Sequence, residues 1–312
     1  MARGQIDNAA EDGPAGGLAL LAEARAGGAL DDYRQPSPRR PTSRLVYVVR
    51  SGRTWPAAGG LGSNVRVGVT NVSIKRDKSQ SDRLRAQLLG PKRHDVLSLS
   101  EVIEAGRTLT GDREGMAFYG LPPSGWYARG IRLLGRTCVE ATPDITAQPI
   151  ARTAHALLGA RQRVGVVDLF AGSGNLLLHV AQGLSAPACG LEADEAVWRQ
   201  TDTNLRILGA PPAVRLGDWQ SYFEDPLNVD TTVYLLSPPW GNAFSFASGL
   251  DLARTEPPIP LIIDTIATRD RSIRCYALIQ HTPIEPVANV SAVTDRYPIV
   301  GFGRGCFLVC VR

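Results

Sequence analysis

The sequence predicts an α/β protein: a doubly wound, seven-stranded, mostly parallel sheet with an N-terminal α+β extension. Three observations carry that expectation. From residue 142 onward, short apolar runs alternate with amphipathic helical segments, the pattern of a parallel sheet covered on both faces. The first long run, VGVVDLF at residues 164–170, feeds Ala171-Gly172-Ser173-Gly174 and then a helix, which is how open α/β sheets build a ligand-binding turn. A chain of 312 residues, 44% of them hydrophobic, can bury one large domain and still carry an extension.

Taken in order, residues 1–44 read as a disordered tail rich in Gly, Ala, Asp and Pro. One short helix is expected there, at residues 18–26, stopped by Gly27-Gly28. Residues 45–140 read as the α+β extension, a possible substrate-binding unit. Strands are expected at residues 44–50 (RLVYVVR) and 65–74 (VRVGVTNVSI). A helix is expected to start near residue 97, capped by Ser98 or Ser100. Residues 141–312 hold the regular α/β pattern. Thr142-Pro143-Asp144 signals a helix start, with a capping hydroxyl, a proline in the first turn and an acid at the positive end. That helix runs to about residue 158, either kinked at Pro149 or begun near Thr146. Seven strands follow, at residues 164–170, 189–192, 214–216, 231–236, 260–263, 273–279 and 306–311. Helices are expected at 175–182 and at 195–208, the latter closed by Gly209. A long polar segment without a clear helix separates the last two strands, which suits an antiparallel final pair.

No apolar run approaches the ~20 residues of a membrane helix, and the first residues lack the apolar core of a secretory signal. The expectation is a cytoplasmic protein without a membrane partner. Five scattered cysteines with no CxxC pair read as reduced thiols, and no Cys/His cluster supplies a metal site. The net charge of +4 permits an anionic partner without demanding one.

The glycine turn narrows the ligand. Gly172 and Gly174 allow close backbone approach, and the exposed N–H groups at the helix start face a polar group. Leu177 stands where a dinucleotide fingerprint has its third glycine, which disfavours a diphosphate. Asp168, just before the turn, suits a positive ligand better. S-adenosylmethionine (SAM) offers an ammonium and a sulfonium and no phosphate. Phe170 and Asn175 flank the turn and are counted with it as cofactor contacts. Glu192, ending the next strand eighteen residues after Gly174, can accept ribose hydroxyls. Asp218 and Trp219 end the third strand, where the acid can accept the adenine amino group and the ring can stack.

The fourth strand ends in Leu235-Leu236-Ser237-Pro238-Pro239-Trp240-Gly241. By sheet order its carboxyl end lies beside the glycine turn. Two prolines remove two N–H donors and leave carbonyl acceptors. A planar amine can donate to the Ser237 hydroxyl and the Pro238 carbonyl, with Trp240 stacked on the base. Little general-base help is needed, and positioning carries most of the acceleration.

VVDLFAGSGN, GLEAD, GDW and SPPWG, in this order, resemble class I SAM-dependent methyltransferases, whose fold is Rossmann-like. SPPWG with Thr142-Pro143 upstream is similar to the trimethylguanosine synthase and RNA cap guanine-N2 methyltransferase family, over residues 142–245. The resemblance implies that Asp168, Gly172, Gly174 and Glu192 hold SAM, with Asp218 near the adenine. It also implies that Ser237 and Pro238 orient the amine and that Trp240 stacks on guanine.

The resulting expectation is N-methylation of an exocyclic amine, guanine N2 of RNA first. The basic segment from Lys75 to Arg93, with Arg129, Arg132 and Arg136, would contact phosphates. A small-molecule amine is the rival acceptor, DNA adenine stands third, and a SAM-binding partner without catalysis is the alternative from another class.

Overall fold

The computed structural model describes residues 78–159, 163–210, 214–239, 243–245, 249–281, 287–288, 290–303 and 305–312. The tail, its expected helix and the two expected strands at 44–50 and 65–74 lie outside the described residues.

The sheet begins with β1 (Val164–Asp168), buried at every position, as an apolar run covered on both faces must be. β2 (Ala188–Glu192) and β3 (Val214–Leu216) extend the sheet on one side. β4 (Thr231–Leu236), β7 (Arg274–Gln280), β10 (Cys306–Cys310) and β9 (Ile299–Gly303) extend it on the other, in the order β3-β2-β1-β4-β7-β10-β9. The first five strands are mutually parallel, and β10 runs antiparallel to both neighbours. This is the expected doubly wound, mostly parallel sheet of seven strands, with β7 and β10 as the antiparallel pair. β5 (Phe244–Ser245), β6 (Gly249–Asp251) and β8 (Val287–Ala288) make a separate small sheet.

Period-two alternation divides the core. Val166, Val233, Leu235 and Leu278 point into one cluster. Val167, Tyr234, Leu236 and Ile279 point into the other. The first cluster is shared with α5 (Asp144–Leu158), α6 (Asn175–Leu184) and the upstream helices. The second is covered by α8 (Ile259–Arg269) and the short 3₁₀ segment Trp219–Glu224. α7 (Glu195–Ile207) links β2 to β3, and the short α9 (Ser291–Thr294) precedes β9.

Two strand expectations need correction. Residues 260–263 are not a strand but the start of α8. Ile259, Ile262, Ile263 and Ile266 are all fully buried, while Leu261 is 51% exposed. Only a helix puts those four isoleucines on one face, and Pro260 is tolerated in its first turn. The seventh strand is instead β9, an edge strand in the segment read as polar. Its apolar residues Ile299, Val300 and Phe302 are interrupted by two glycines, and Val300 and Phe302 face outward.

The described part of the extension is helical: α1 (Lys78–Leu89), α2 (Leu99–Thr110), α3 (Pro123–Ala128) and α4 (Gly135–Glu140). Ser98, not Ser100, caps α2, in a reciprocal capping box with Glu101. Trp126 is fully buried, and its indole N–H donates to the Met116 carbonyl at 3.0 Å. α5 starts at Asp144 and contains Pro149. Thr142 does not cap it; its hydroxyl meets Gln280 Oε1 at 3.0 Å.

A buried polar network docks the extension onto the glycine turn. Asn175 Oδ1 accepts the Tyr119 N–H at 2.7 Å. Asn175 Nδ2 donates to the Thr142 carbonyl at 2.8 Å and to Asp144 Oδ1 at 3.1 Å. Asp144 also takes the Gly120 N–H at 2.8 Å and lies 2.8 Å from His179 Nε2. The Tyr119 hydroxyl donates to the Ser173 carbonyl at 2.7 Å. A buried network of this kind contributes only when complete. Asn175→Ala leaves the Tyr119 N–H and the Thr142 carbonyl without partners. The expected loss is about 3 kcal/mol in urea unfolding; a loss within the scatter of surface substitutions would show that the network does not hold the extension.

Candidate functional site

β1 and β4 are neighbours from which the chain winds in opposite directions, and ligands of open sheets bind at that switch point. A cleft of about 650 Å³ opens there, within the range of small-molecule sites. Its sheet wall is built from strand ends and the turns that follow them.

After β1 the chain reverses through Gly172 and Gly174, both at positive φ (+51° and +71°), where a side chain is strained. A Cβ on Gly174 would also stand 3.3 Å from the Thr201 methyl. Glu192 cinches this turn. Its Oε2 accepts the Gly172 N–H at 3.0 Å and its Oε1 the Asp194 N–H at 2.8 Å. The Thr201 hydroxyl donates to the Gly172 carbonyl at 2.6 Å. Asp168 Oδ1 accepts the Phe170 N–H at 3.0 Å.

Of the residues expected from sequence to form the site, Asp168, Phe170, Gly172 and Glu192 line the cleft. So do Asp218, Trp219, Ser237 and Pro238. Asp218 also caps the 3₁₀ segment, its Oδ1 taking the Gln220 N–H at 2.6 Å. Trp219 is largely buried in the second core cluster and also lines the cleft. Gly174 and Asn175 are not in the lining. Gly174 packs under the turn, and the Asn175 side chain is spent on the docking network. Trp240 lies outside the described residues.

The electrostatics are strongly asymmetric. Burial pushes Asp168 up to about 7, against the Phe170 N–H, and the field of Glu192 adds to the rise. Burial also raises Glu192, against its backbone N–H bonds and Arg136. Asp194, two residues on, behaves oppositely. Burial works against its ionisation, but His94, the Val197 N–H and Arg136 hold it well below the usual carboxylate range. Arg136 donates to Asp194 at 2.9 Å and pairs with Glu140. Two carboxyls thus face the cleft without full cationic compensation.

Sequence reasoning missed several lining residues. Gln280 ends β7, the strand beside β4, and His281 follows it; polar residues ending a central strand are the signal that would have found them. Glu256 reaches the cleft from the loop after β6, where its N–H lies 3.5 Å from the Pro239 carbonyl. No local pattern marks it. Arg136 and Arg85 come from the extension; the sequence suggests them as phosphate contacts, not as cleft lining.

No family model and no curated protein match the sequence. Solved structures similar to it include a methyltransferase from Geobacter sulfurreducens, 13% identical over 51% of this chain and 76% of that one, with a TM-score of 0.33. A precorrin-6y methyltransferase from Geobacter metallireducens is 11% identical over 51% and 85%, with a TM-score of 0.32. A mutant of MtNAS in complex with S-adenosylmethionine is 14% identical over 73% and 71%, with a TM-score of 0.38. At TM-scores this low, the strand order and the cleft carry the reading that follows.

The raised Asp168 has a stability signature. Its folded pKa of about 7 lies above the ordinary aspartate value of roughly 3.9. The folded state therefore holds the proton more tightly, so this contribution is complete below about pH 4 and is lost as pH rises through about 7. Urea unfolding from pH 4 to 8 should show wild-type stability falling relative to Asp168→Asn across that window. Parallel curves would mean that Asp168 titrates normally.

Proposed function

We propose that the chain is a SAM-dependent N-methyltransferase acting on a planar exocyclic amine, most specifically guanine N2 of RNA. The observation that carries this reading is one cleft wall bearing both the buried Asp168 and half-buried Glu192 carboxyls and Ser237-Pro238. The residues fit such a cofactor. Buried acids short of cations suit a ligand with positive charge and no phosphate. Glu192 keeps lone pairs beyond its two backbone bonds and can take ribose hydroxyls. Asp218 and Trp219, both in the lining, suit the adenine.

SAM, when bound, supplies a methyl group already activated on a sulfonium. The chain's task is then orientation. The Ser237 hydroxyl and the Pro238 carbonyl accept the two amine hydrogens and aim the nitrogen lone pair. Trp240, from the sequence motif, stacks on the base. Gly172 gives close backbone approach.

One observation favours a small-molecule amine as a second reading. The cations expected to meet a phosphate backbone are largely engaged within the protein. Lys92 pairs with Glu101 at 2.5 Å and Arg93 with Asp194 at 3.3 Å. Arg132 donates to the Tyr127 and Ile131 carbonyls at 2.8 and 2.7 Å and stacks on the Tyr127 ring.

Calorimetry with S-adenosylhomocysteine tests the cofactor assignment. Affinity should rise as pH passes about 7 and Asp168 ionises, and Glu192→Ala should lower it roughly tenfold or more. Unchanged binding in Glu192→Ala and Asp168→Ala would sink the assignment. Transfer of labelled methyl from SAM to total RNA, followed by nucleoside separation, tests the acceptor. Label in N2-methylguanosine is the expected result; bound cofactor with unlabelled RNA would move the acceptor to a small molecule. Ser237→Ala should lower kcat about tenfold or more with cofactor affinity intact, and full activity would remove Ser237 from the site.

A further inference from the structure

The extension supplies a second wall of the same cleft: Arg85 and Leu89 of α1, Leu109 and Thr110 of α2, and Met116. Most of this wall is apolar, and Arg85 stands out in it. Its side chain is half-buried, and its Nε is the one buried side-chain nitrogen or oxygen without a hydrogen-bond partner among the described residues. Neighbouring basic residues are spent: Lys92 on Glu101, Arg93 and Arg136 on Asp194, Arg132 on backbone carbonyls. Arg85 is not among the ion pairs. Burial lowers its pKa, and Asp82 opposes this only through its field. A guanidinium stays charged even so. Desolvating a charge is unfavourable unless its N–H groups find acceptors, and the fork geometry of Arg matches a carboxylate or a phosphate.

We propose that Arg85 is an anion receptor of the cleft, taking a carboxylate or phosphate group of a bound ligand. The proposal rests on the methyltransferase reading and adds a recognition element to it. Two sources carry the right chemistry: the amino-acid carboxylate of the methyl donor, and a phosphate on the acceptor nucleotide.

Calorimetry on the full chain separates them with two matched pairs. S-adenosylhomocysteine carries the donor's carboxylate, and methylthioadenosine lacks the whole amino-acid end. On protein saturated with S-adenosylhomocysteine, guanosine monophosphate carries a phosphate and guanosine does not. Arg85→Gln should weaken the anionic member of one pair by roughly tenfold or more, leaving its partner within about twofold. Arg85→Lys should recover part of that loss, because it restores the charge without the fork. An effect confined to the first pair assigns the donor carboxylate; one confined to the second assigns the acceptor phosphate. Equal losses within both pairs, or none, overturn the proposal. Thermal melting of Arg85→Gln checks the fold, and if that variant is unfolded the Lys variant carries the comparison. Wild-type protein that bound no S-adenosylhomocysteine would bring down the methyltransferase reading first, and this assignment with it.

Discussion

The site depends on one buried amide. Asn175 opens the helix after the glycine turn, and its side chain reaches back to Tyr119, Thr142 and Asp144. Through it the extension is registered against the turn to within a hydrogen-bond length. Both walls of the cleft follow from that registration, since one belongs to the strand ends and the other to α1 and α2. The Thr142–Gln280 contact continues the seam to the end of β7. A hydrogen-bonded seam of this kind fixes distance and angle more sharply than apolar packing, which tolerates sliding.

Charge is distributed by the same seam. His94 and Arg136 of the extension converge on Asp194 and leave Asp168 and Glu192 less compensated. The protein therefore spends its cations on the acid that caps α7. The acids in the cleft keep an unmet preference for positive charge. Across the cleft, Arg85 has the opposite preference. A ligand with separated charges would satisfy both walls at once.

Much of this was legible in the sequence, and the limits were physical. Asp168, Gly172, Glu192 and Ser237-Pro238 were readable because strand, turn and terminal residue are contiguous in the chain and sheet order brings their ends together. Asn175 was readable as part of the turn but not in its role: an amide that pairs with residues 31 and 56 positions away leaves no local trace. Thr142 looked like a cap and serves instead as a partner for Gln280. The run at residues 260–263 was misread because a short isoleucine-rich segment fits either period, and only Ile259 and Ile266 outside that window reveal the helical one. β9 was passed over because its two glycines interrupt a short apolar run set in a segment otherwise rich in polar residues and prolines. Arg85 belonged to a charge run, and sequence cannot separate its desolvated member from its solvated ones.

Glu192 serves the fold of the turn as well as the cleft. Both its oxygens already accept backbone N–H groups, one from the glycine turn and one from the start of α7. Glutamine at that position would set an NH₂ against one of those N–H groups, donor facing donor, and aspartate would fall one methylene short. The turn itself therefore favours glutamate at this position over either of its near neighbours. If a descendant of this chain abandoned its chemistry, the turn would still hold that glutamate in place, and its presence would record architecture as faithfully as activity.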